Sequence, residues 1–410
     1  MRINSTTQPT RRNLGRILLV GVVAAAGLLA SGTAHAAPAS TPDAPSNLRV
    51  LNGRNRIIAV WDAPTPNAVP ATGYRVTATA TDLSQTATCT TSNVNITRCA
   101  ISGLASGKSF DITVATRSGN GDSPATSAVN VMSWYQPQAP QGSTNFAGKD
   151  LGNIDLSWVN FTGANLTGAN LNGSNAHGAN FKNATITNAT FGNAELAEVR
   201  SGGVTGSFAT ARQYYQVING FIVGPSVNLW NEDLSGLNLT NVNLWDAQLS
   251  GTNFSNANLT NANLSFGLTQ ATNFTNATMS RANLRGTIMT GANFTGTSLA
   301  NVKIGDQIRS GNVTGTPTLP AGFVWRNGHL VGANMNLWRA DLSGQDLSNL
   351  DLTNVRAYEA NLAGANLNGA NVTGADLRAT MTGASASNLV GNPGKLSAGH
   401  YMSGRNLIIP

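Results

Sequence analysis

From residue 151 onward, large apolar residues return at every fifth position of the chain. They form three blocks, 151–196, 229–304 and 337–377, which together contain 35 such positions, called here the centres. The residue two before a centre is usually small, and the residue directly before it is often Asn or Asp. The centres that are not large and apolar are Ala176, Thr269 and Ala357.

A period of five fits neither an α-helix, which needs apolar residues about every 3.6 positions, nor a strand, which alternates with period two. A chain that turns a corner every five residues does fit it. Four pentapeptides would then close a coil of about 20 residues, and successive coils would stack about 4.8 Å apart. Centres would point inward, while Gly and Asn would serve corners that need a positive φ.

The A-[N/D]-[L/F]-x-x pattern, as in Ala164-Asn165-Leu166 and Ala169-Asn170-Leu171, resembles the pentapeptide-repeat family. The resemblance covers most of 149–384 and implies a right-handed quadrilateral β-helix over 149–410. Such a solenoid needs caps at its two open ends. Some members of the family imitate DNA and bind topoisomerase.

Two interruptions of the repeat resemble each other and predict β-hairpin inserts at about 199–228 and 308–336. Each contains Asn-Gly, the strongest short hairpin signal. A truncated copy of the same unit at about 385–410 predicts a C-terminal cap. The matching segments are VRSGGVTG (199–206) with IRSGNVTG (308–315), and NGFIVG (219–224) with NGHLVG (327–332).

Residues 41–133 alternate β-rich segments with turn signals, which is typical of a small all-β sandwich. Trp61-x-x-Pro64, Gly73-Tyr74-x-Val76 and the run from Leu104 to Val114 resemble a fibronectin type III domain. Phe110 stands where that family has a conserved tyrosine, and Trp61 is expected in the core. The resemblance implies a spacer or interaction module. The Pro- and Gln-rich stretch within 134–148 predicts an exposed linker.

The first 36 residues read as a secretory signal peptide. A basic start precedes an apolar run of 14 residues over 17–30, which is too short to span a bilayer, and Ala34-His35-Ala36 forms a cleavage site. The segment TRRNLGR (10–16) also resembles a twin-arginine signal, so the Sec and twin-arginine routes both stay open. No transmembrane segment is expected in the mature chain. We therefore expect an extracellular protein, with attachment to the cell wall left open.

The formal net charge of +7 overstates how basic the working protein is. Four basic residues and no acidic ones lie in the predicted signal, which leaves +3. From Asp150 onward the chain has 13 Lys+Arg and 13 Asp+Glu, a net charge of zero. Neither nucleic-acid binding nor a DNA-like surface is expected from this balance.

The two cysteines, Cys89 and Cys99, predict a disulfide in an exported chain, with two buried thiols as the alternative. Closing so short a loop should stabilise the fold by roughly 3 kcal/mol in the chain-entropy model. Two cysteines are too few for a metal site, and neither a metal nor a cofactor is expected.

No constellation of catalytic residues stands out, so an enzyme is not expected. His177, His329 and His400 lie far apart, and each is expected at the solvated surface. Three aspartates precede successive centres, so they should lie on successive sides of the coil instead of converging as acid–base chemistry requires. These aspartates are Asp341, Asp346 and Asp351.

Tryptophan is the one rare residue with a regular placement in the repeats. Trp230, Trp245 and Trp338 each follow a centre within Asn-Leu-Trp, and Trp158 lies two after Leu156, so all four should face outward. They suit an aromatic surface that stacks on sugar rings or docks a partner. The alternative is that Trp230 and Trp338, each just after an insert, only cover that insert. Trp245 has no insert beside it.

These features together predict a secreted, non-enzymatic binding or structural protein. Its partner would be cell envelope, extracellular polysaccharide or another protein, reached through the rod. An accessory module of polysaccharide degradation is the alternative, and a DNA-mimicking topoisomerase binder is not favoured by a neutral, exported rod. The identity of the ligand and end-to-end self-association of rods are left open.

Overall fold

The computed structural model describes residues 40–53, 56–133, 141–142, 144–305, 307–315 and 317–410. The predicted signal peptide, residues 1–36, lies outside them. All regular structure in these ranges is β-strand, which confirms the all-β fold class. None of the described residues forms a helix of the length and apolarity that crossing a membrane requires.

The N-terminal domain is a sandwich of two antiparallel sheets. One sheet has the strand order β5-β2-β1-β8 and the other β4-β3-β6-β7. The strands are β1 (Ser46–Gly53), β2 (Arg56–Asp62), β3 (Ala71–Ala80), β4 (Thr86–Thr90), β5 (Arg98–Ser102), β6 (Ser109–Ser118), β7 (Val129–Met132) and β8 (Gln141–Gly142).

The core between the two sheets is aromatic at its centre. Trp61 is fully buried, as the sequence predicts, and meets Tyr74 edge-on at 5.1 Å between ring centroids. Phe110 is also fully buried, so it supplies the ring of the family's tyrosine without the hydroxyl. The rest of this core comes mainly from inward residues of β2, β3 and β6, with further residues from β1, β5 and β7.

A disulfide joins Cys89 to Cys99, which confirms the pairing. Cys89 lies in β4 and Cys99 in β5, at the edges of different sheets, and their Cα atoms are 6.2 Å apart. The bond therefore ties the two sheets together along one open side of the sandwich.

The repeat domain is a stack of coils held by parallel bridges between residues twenty apart, such as Asn253 with Asn273. Each coil thus holds four pentapeptides. The centres face inward: Phe254, Phe274 and Phe294 are fully buried and stack with ring centroids 5.6 and 4.9 Å apart. The right-handed sense of the coil stays a prediction from the resemblance.

Corners and coil spacing are set by the polar residues of each pentapeptide. The second residue after a centre takes a positive φ, as at Asn276 (56°) and Gly296 (71°). The Asn273 side chain donates to Asn253 Oδ1 of the previous coil at 3.0 Å and accepts from the amide of Thr275 at 3.1 Å. Asparagine therefore both closes the turn and ties neighbouring coils together.

Hairpins form at both Asn-Gly pairs of the inserts and again near the C-terminus. Short parallel pairs also join β9 (Ala189–Phe191) to β10 (Phe208–Ala211), and β15 (Asp376–Leu377) to β16 (Lys395–Leu396). The hairpins are β11 (Gln216–Ile218) with β12 (Phe221–Val223), β13 (Val324–Arg326) with β14 (His329–Val331), and β17 (Tyr401–Ser403) with β18 (Asn406–Ile408).

The two inserts use the same buried contact. Ser201 and Ser310 occupy positions where the pentapeptide pattern would place a large apolar residue. Ser201 Oγ accepts the amide of Ile222 at 2.9 Å, and Ser310 Oγ accepts the amide of Leu330 at 2.8 Å. The small polar side chain leaves room for the hairpin strand and satisfies a backbone donor that would otherwise be buried without a partner.

The sandwich and the repeats are not separated by an exposed tether throughout 134–148. Residues 134–140 and 143 lie outside the described part of the chain. For residues 141–142 and 144–148 the prediction of an exposed linker is wrong, because β8 pairs with β1 and Phe146 is fully buried. Asn145 already bridges Asn165, so the ladder begins ahead of the predicted start at 149.

The sandwich covers the first coil of the repeat domain. Leu51, Ile58 and Val60 belong to the same buried cluster as Phe146 and Leu151. Strand β2 is buried on both faces, with Ile57, Ala59 and Trp61 in the sandwich core and the residues between them against the coil. Consecutive apolar residues, IIAVW, are the sequence signal of this double burial.

Three ion pairs surround this apolar contact: Arg56 with Asp155, Arg98 with Asp150, and Lys149 with Asp62. Burial alone would raise the pKa of Asp62. Hydrogen bonds from Arg49, Lys149 and Asn47 outweigh that effect and lower its pKa to about 2. The carboxylate is therefore charged at neutral pH and acts as the acceptor for cations of both domains.

The disulfide gives a first prediction. Replacing Cys89 and Cys99 together by Ser should lower the free energy of unfolding of the sandwich by about 3 kcal/mol, because the unfolded chain regains the entropy of an open loop. Urea unfolding followed by proteolysis within residues 41–133 would measure it. Equal stability of the variant and the parent protein would contradict a stabilising role for the bond.

The covered coil gives a second prediction. Ile58→Asp should undock the sandwich, because it places a charge in a contact where each apolar side chain stabilises by roughly 1.5–3 kcal/mol. The exposed coil edge should then pair with other molecules, which light scattering after size exclusion would detect as oligomers. Val94→Asp, at an exposed site of the sandwich, is the control. A monomeric Ile58→Asp protein with unchanged resistance to proteolysis after residue 133 would refute the covering role.

Candidate binding surface on the repeat domain

One side of the coil carries an unbroken row of bridged, outward residues, here called the first row. In each coil, the first-row residue is followed by one inward residue and then by a second outward residue. These second outward residues form a parallel second row. We call the two rows together the tryptophan side. The first row is Asn160, Asn180, Arg200, Asn228, Gln248, Leu268, Ile288, Arg309, Asn336, Arg356, Asp376 and Lys395. The second row includes Gly202, Trp230, Ser250, Gln270, Thr290, Gly311, Trp338, Tyr358 and Arg378.

The structure brings Trp230 and Trp338 into one row although the sequence separates them widely. Each lies one coil beyond an insert, where the second row holds Gly202 or Gly311. A Cβ on Gly202 would lie 3.5 Å from the Phe221 ring, and one on Gly311 would lie 3.1 Å from the His329 ring. The hairpins therefore lie over these two glycines and divide the tryptophan side into compartments.

Trp338 is held within a cluster of charged groups. The guanidinium carbons of Arg309 and Arg339 lie 4.6 and 4.5 Å from its ring centroid. Its indole Nε1 donates to Glu359 Oε2 at 3.3 Å, and Arg339 Nε donates to the same oxygen at 2.7 Å. Arg309 opens the second insert, so Trp338 does contact an insert residue, through its side chain.

Trp230 is placed differently from Trp338 although both occupy the same row. Its side chain is 58% exposed. It lines a shallow depression of about 380 Å³ whose other walls are amide and hydroxyl side chains. These are Asn228, Gln248, Ser250 and Gln270. An exposed indole beside several hydrogen-bonding groups is suited to a ring-shaped polar ligand.

Trp245 lies outside the tryptophan side. Its side chain is 44% exposed, and its amide donates to Asn243 Oδ1 at 3.1 Å. Asn243 begins an asparagine ladder on its own side of the coil, in which Asn263 donates to Asn243 at 3.0 Å and Asn283 donates to Asn263 at 3.1 Å. Trp245 is thus a separate aromatic site beside a row of amides.

Trp158 occupies a corner rather than a flat side. Its φ is 61°, its ring meets His177 edge-on at 5.4 Å, and a Cβ on Gly178 would lie 2.6 Å from its Cε3 atom. The ring therefore packs on a glycine of the next coil. Phe266 and Gly286 make the same kind of contact, with the corresponding Cβ position 2.6 Å from the phenyl ring.

Sequence reasoning missed the residues that surround Trp338. Tyr358 is 42% exposed, and Arg378 lies over its ring at 4.6 Å. The signal was available, because Trp338, Tyr358 and Arg378 are spaced by twenty residues and each follows a centre. With four pentapeptides per coil, that spacing stacks the three side chains in adjacent coils.

The three aspartates that precede successive centres do not converge on one site. Asp341, Asp346 and Asp351 bridge different partners on successive sides of the coil. Hydrogen bonds from Ser343 and Ser348 hold the pKa of Asp341 and Asp346 below the ordinary value. In the part of the chain that the structure describes, no group of His, Cys, Asp and Glu is arranged to hold a metal ion.

The expectation that His329 lies at the solvated surface is wrong. It is half-buried in the second hairpin, with Nδ1 3.2 Å from the carbonyl oxygen of Ser310. Burial lowers the pKa of its imidazole. The ring therefore acts as a packing element over Gly311.

Comparison with known families agrees with this architecture. A fibronectin type III domain matches residues 43–142. Pentapeptide repeats match in 8 copies, over 143–175, 154–193, 227–266, 270–304, 327–362 and 336–383. The chain is therefore a two-domain, all-β protein whose second domain is built from repeats. It consists of a fibronectin type III domain followed by pentapeptide repeats.

Individual relatives cover only parts of the chain. It is 34% identical to chitinase A1 of Niallia circulans over 141 residues, which is 32% of this chain and 19% of the chitinase. Among solved structures, the pentapeptide repeat protein Rfr23 from the cyanobacterium Cyanothece 51142 is 21% identical, covering 42% of this chain and 91% of that one, with a TM-score of 0.20. The FN5 domain of Drosophila Lar is 19% identical, covering 23% of this chain and 98% of that one, with a TM-score of 0.20.

The corner packing of Trp158 can be tested with two matched glycines. Gly178 and Gly236 have φ values of 66° and 68°, but only Gly178 has neighbours within 4 Å of an added Cβ. Gly236→Ala should cost about 1–2 kcal/mol for the left-handed backbone alone. Gly178→Ala should cost more and change the near-ultraviolet circular dichroism of Trp158. If Gly178→Ala and Gly236→Ala lose equal thermal stability, the packing of the Trp158 ring on Gly178 contributes nothing to stability.

Proposed function

We propose that this protein is an exported, non-enzymatic binding protein that attaches to extracellular polysaccharide or cell envelope through the sides of its rod. Both domain families are typically non-catalytic, which supports a binding or structural role. The observation that carries the proposal is the pair of exposed indoles, with Trp230 beside amide and hydroxyl groups and Trp245 beside a row of amides.

Physical chemistry favours sugar rings as the ligand of such a surface. A pyranose ring offers an apolar face for stacking on an indole and hydroxyl groups at its edge. Amide and hydroxyl side chains on neighbouring coils can bind these hydroxyl groups, and they repeat at the strand spacing of about 4.8 Å. A polymer laid along the rod would meet the same groups repeatedly, so weak contacts would add.

Export is supported by the predicted signal peptide and by the disulfide, a bond typical of oxidising compartments. A second candidate is an accessory role in polysaccharide degradation. The similarity to part of a chitinase favours it, although the match spans only about a fifth of that enzyme. A topoisomerase-binding role has no such support, because the repeat region carries equal numbers of acidic and basic residues.

Co-sedimentation tests the proposal. The protein, expressed with its own N-terminal segment so that any processing occurs, is mixed with isolated cell envelope, chitin or cellulose, and the pelleted fraction is measured. Trp230→Ala and Trp245→Ala should each reduce binding several-fold, since loss of one aromatic stack costs about 0.5–1.5 kcal/mol or more. Tyr401→Ala, which removes another aromatic residue that is 58% exposed, should leave binding unchanged.

The outcomes separate the candidates. Pelleting that depends on either tryptophan supports a binding surface on the rod. Pelleting that survives both substitutions would move the site to the sandwich, and no pelleting with any of the three materials would refute the proposal. Release of reducing sugar by the protein alone would contradict its non-enzymatic character.

A further inference from the structure

The second compartment of the tryptophan side, between the β13–β14 hairpin and the C-terminal end, differs chemically from the first. Its first row places Arg309, Asn336 and Arg356 in three consecutive coils. At about 4.8 Å per coil, the backbones of the two arginines are roughly 10 Å apart. The site therefore presents cations at a fixed interval along the rod, with an amide between them.

Among the residues that the structure describes, neither guanidinium group has an acidic partner. No described carboxylate forms an ion pair with Arg309 or Arg356. The nearby acids are engaged elsewhere: Glu359 accepts Arg339 at 2.7 Å, and Asp376 accepts Arg378 at 2.8 and 2.6 Å. Among the described residues, Arg309 and Arg356 therefore keep uncompensated positive charges, and Lys395 adds a further cation along the first row, although the repeat region as a whole is neutral.

Arg309 is also held in position. Its guanidinium lies over the Trp338 ring at 4.6 Å, and stacking of this kind uses the flat face of the group. The N–H donors lie in the plane of the guanidinium and stay available, in the fork geometry that matches a carboxylate. Trp338 thus lowers the entropy lost when Arg309 binds an anion, without neutralising its charge.

Asn336 completes the row. Its Oδ1 accepts the amide of Trp338 at 3.1 Å, which orients the side chain and leaves the Nδ2 group without a hydrogen bond among the described residues. Tyr358, one coil beyond Trp338 in the second row, is 42% exposed, with Arg378 over one face of its ring. The coils of Arg309, Asn336 and Arg356 therefore offer two cations, one amide donor and one aromatic surface on an open side.

We propose that this compartment binds one chain of a carboxylated polysaccharide, laid along the rod, with Arg309 and Arg356 each taking a carboxylate. This inference rests on the proposed polysaccharide-binding function and names its ligand class. In an extended β-1,4-linked uronic acid chain, alternate rings face opposite ways, so carboxylates recur on one edge every second ring. That interval is close to two coils. Asn336 binds a hydroxyl of the intervening ring, and Tyr358 supports a sugar face.

The test measures binding of β-1,4-linked oligomannuronate to the full protein by calorimetry at low salt. The cello-oligosaccharide of equal length is its neutral counterpart. Arg309→Ala and Arg356→Ala should each weaken oligomannuronate binding about tenfold, as expected for loss of one charge-assisted contact. The double variant should lose about a hundredfold in affinity. The two arginines are roughly 10 Å apart and bind separate carboxylates, so their free-energy losses should add. Binding should also weaken as salt is raised.

Matched variants separate the site from net charge and from folding. Arg281→Ala removes one exposed positive charge two pentapeptides away around the coil and should leave affinity unchanged. Trp338 is a positioning residue: Trp338→Ala should weaken binding several-fold, and Trp338→Phe, which keeps an aromatic face, should restore most of it. Thermal unfolding of every variant checks that the coil remains intact.

Each outcome bears on the inference. Equal affinity for the neutral oligosaccharide, or equal losses in Arg281→Ala and Arg309→Ala, would overturn it. Binding of double-stranded DNA with the same arginine dependence and at least equal affinity would show a general polyanion surface and would also overturn it. No binding of oligomannuronate, with co-sedimentation on neutral polysaccharide retained, would overturn the inference and leave the proposed function standing. Absence of oligomannuronate binding together with absence of co-sedimentation would reject both the inference and the proposed function.

Discussion

The hydrogen bond between successive coils is the constraint on which the rest of the repeat domain depends. The amide of a centre donates to the carbonyl nineteen residues later, as Leu259 does to Thr278 at 2.7 Å. This register repeats every twenty residues, so side chains at equivalent places stack in straight rows about 4.8 Å apart. Inward rows become the core, and outward rows become flat surfaces with a fixed chemical order.

The inserts show how strictly this register is kept. Arg200 bridges Asn228 and Arg309 bridges Asn336, so the first row continues across both hairpins. Extra residues leave the coil and return to the same place, because a net slip would turn every later apolar centre towards water. The inserts can therefore vary the outer surface without disturbing the core, and here they divide one side of the rod into compartments.

The same hydrogen bonds create a difficulty at each end, where donors and acceptors have no further coil. At the N-terminal end the sandwich domain lies over the first coil, with Ile58 and Val60 in the shared apolar cluster. At the other end the amide of Leu407 donates to the carbonyl of Ala386 at 2.9 Å, and Leu407 is buried. The sandwich, for which the resemblance implied a spacer or interaction module, thus also shields a β-edge.

Much of this architecture is readable from the chain. The fivefold period predicted the coil because only a turn at each fifth residue buries every centre, and the Asn-Gly pairs predicted the hairpins because those residues accept positive φ. The contact between the domains was not predicted, since an exposed linker was expected between them and IIAVW in β2 was assigned only to the sandwich. Its double burial becomes evident only when the coil lies against it.

What the sequence alone determined is the periodic part: the coil, its inward rows, the two domains and the disulfide pair. These features could be predicted because each depends on a short stretch of sequence: the five-residue period, the residues at the turns, and two cysteines ten residues apart. Only the tertiary structure decided which outward residues meet. Trp338 stacks on Arg309 across an insert, and Arg356 joins the same row, because the hairpin restores the register after an irregular number of residues. Net charge, a sum over the chain, does not show where charges gather.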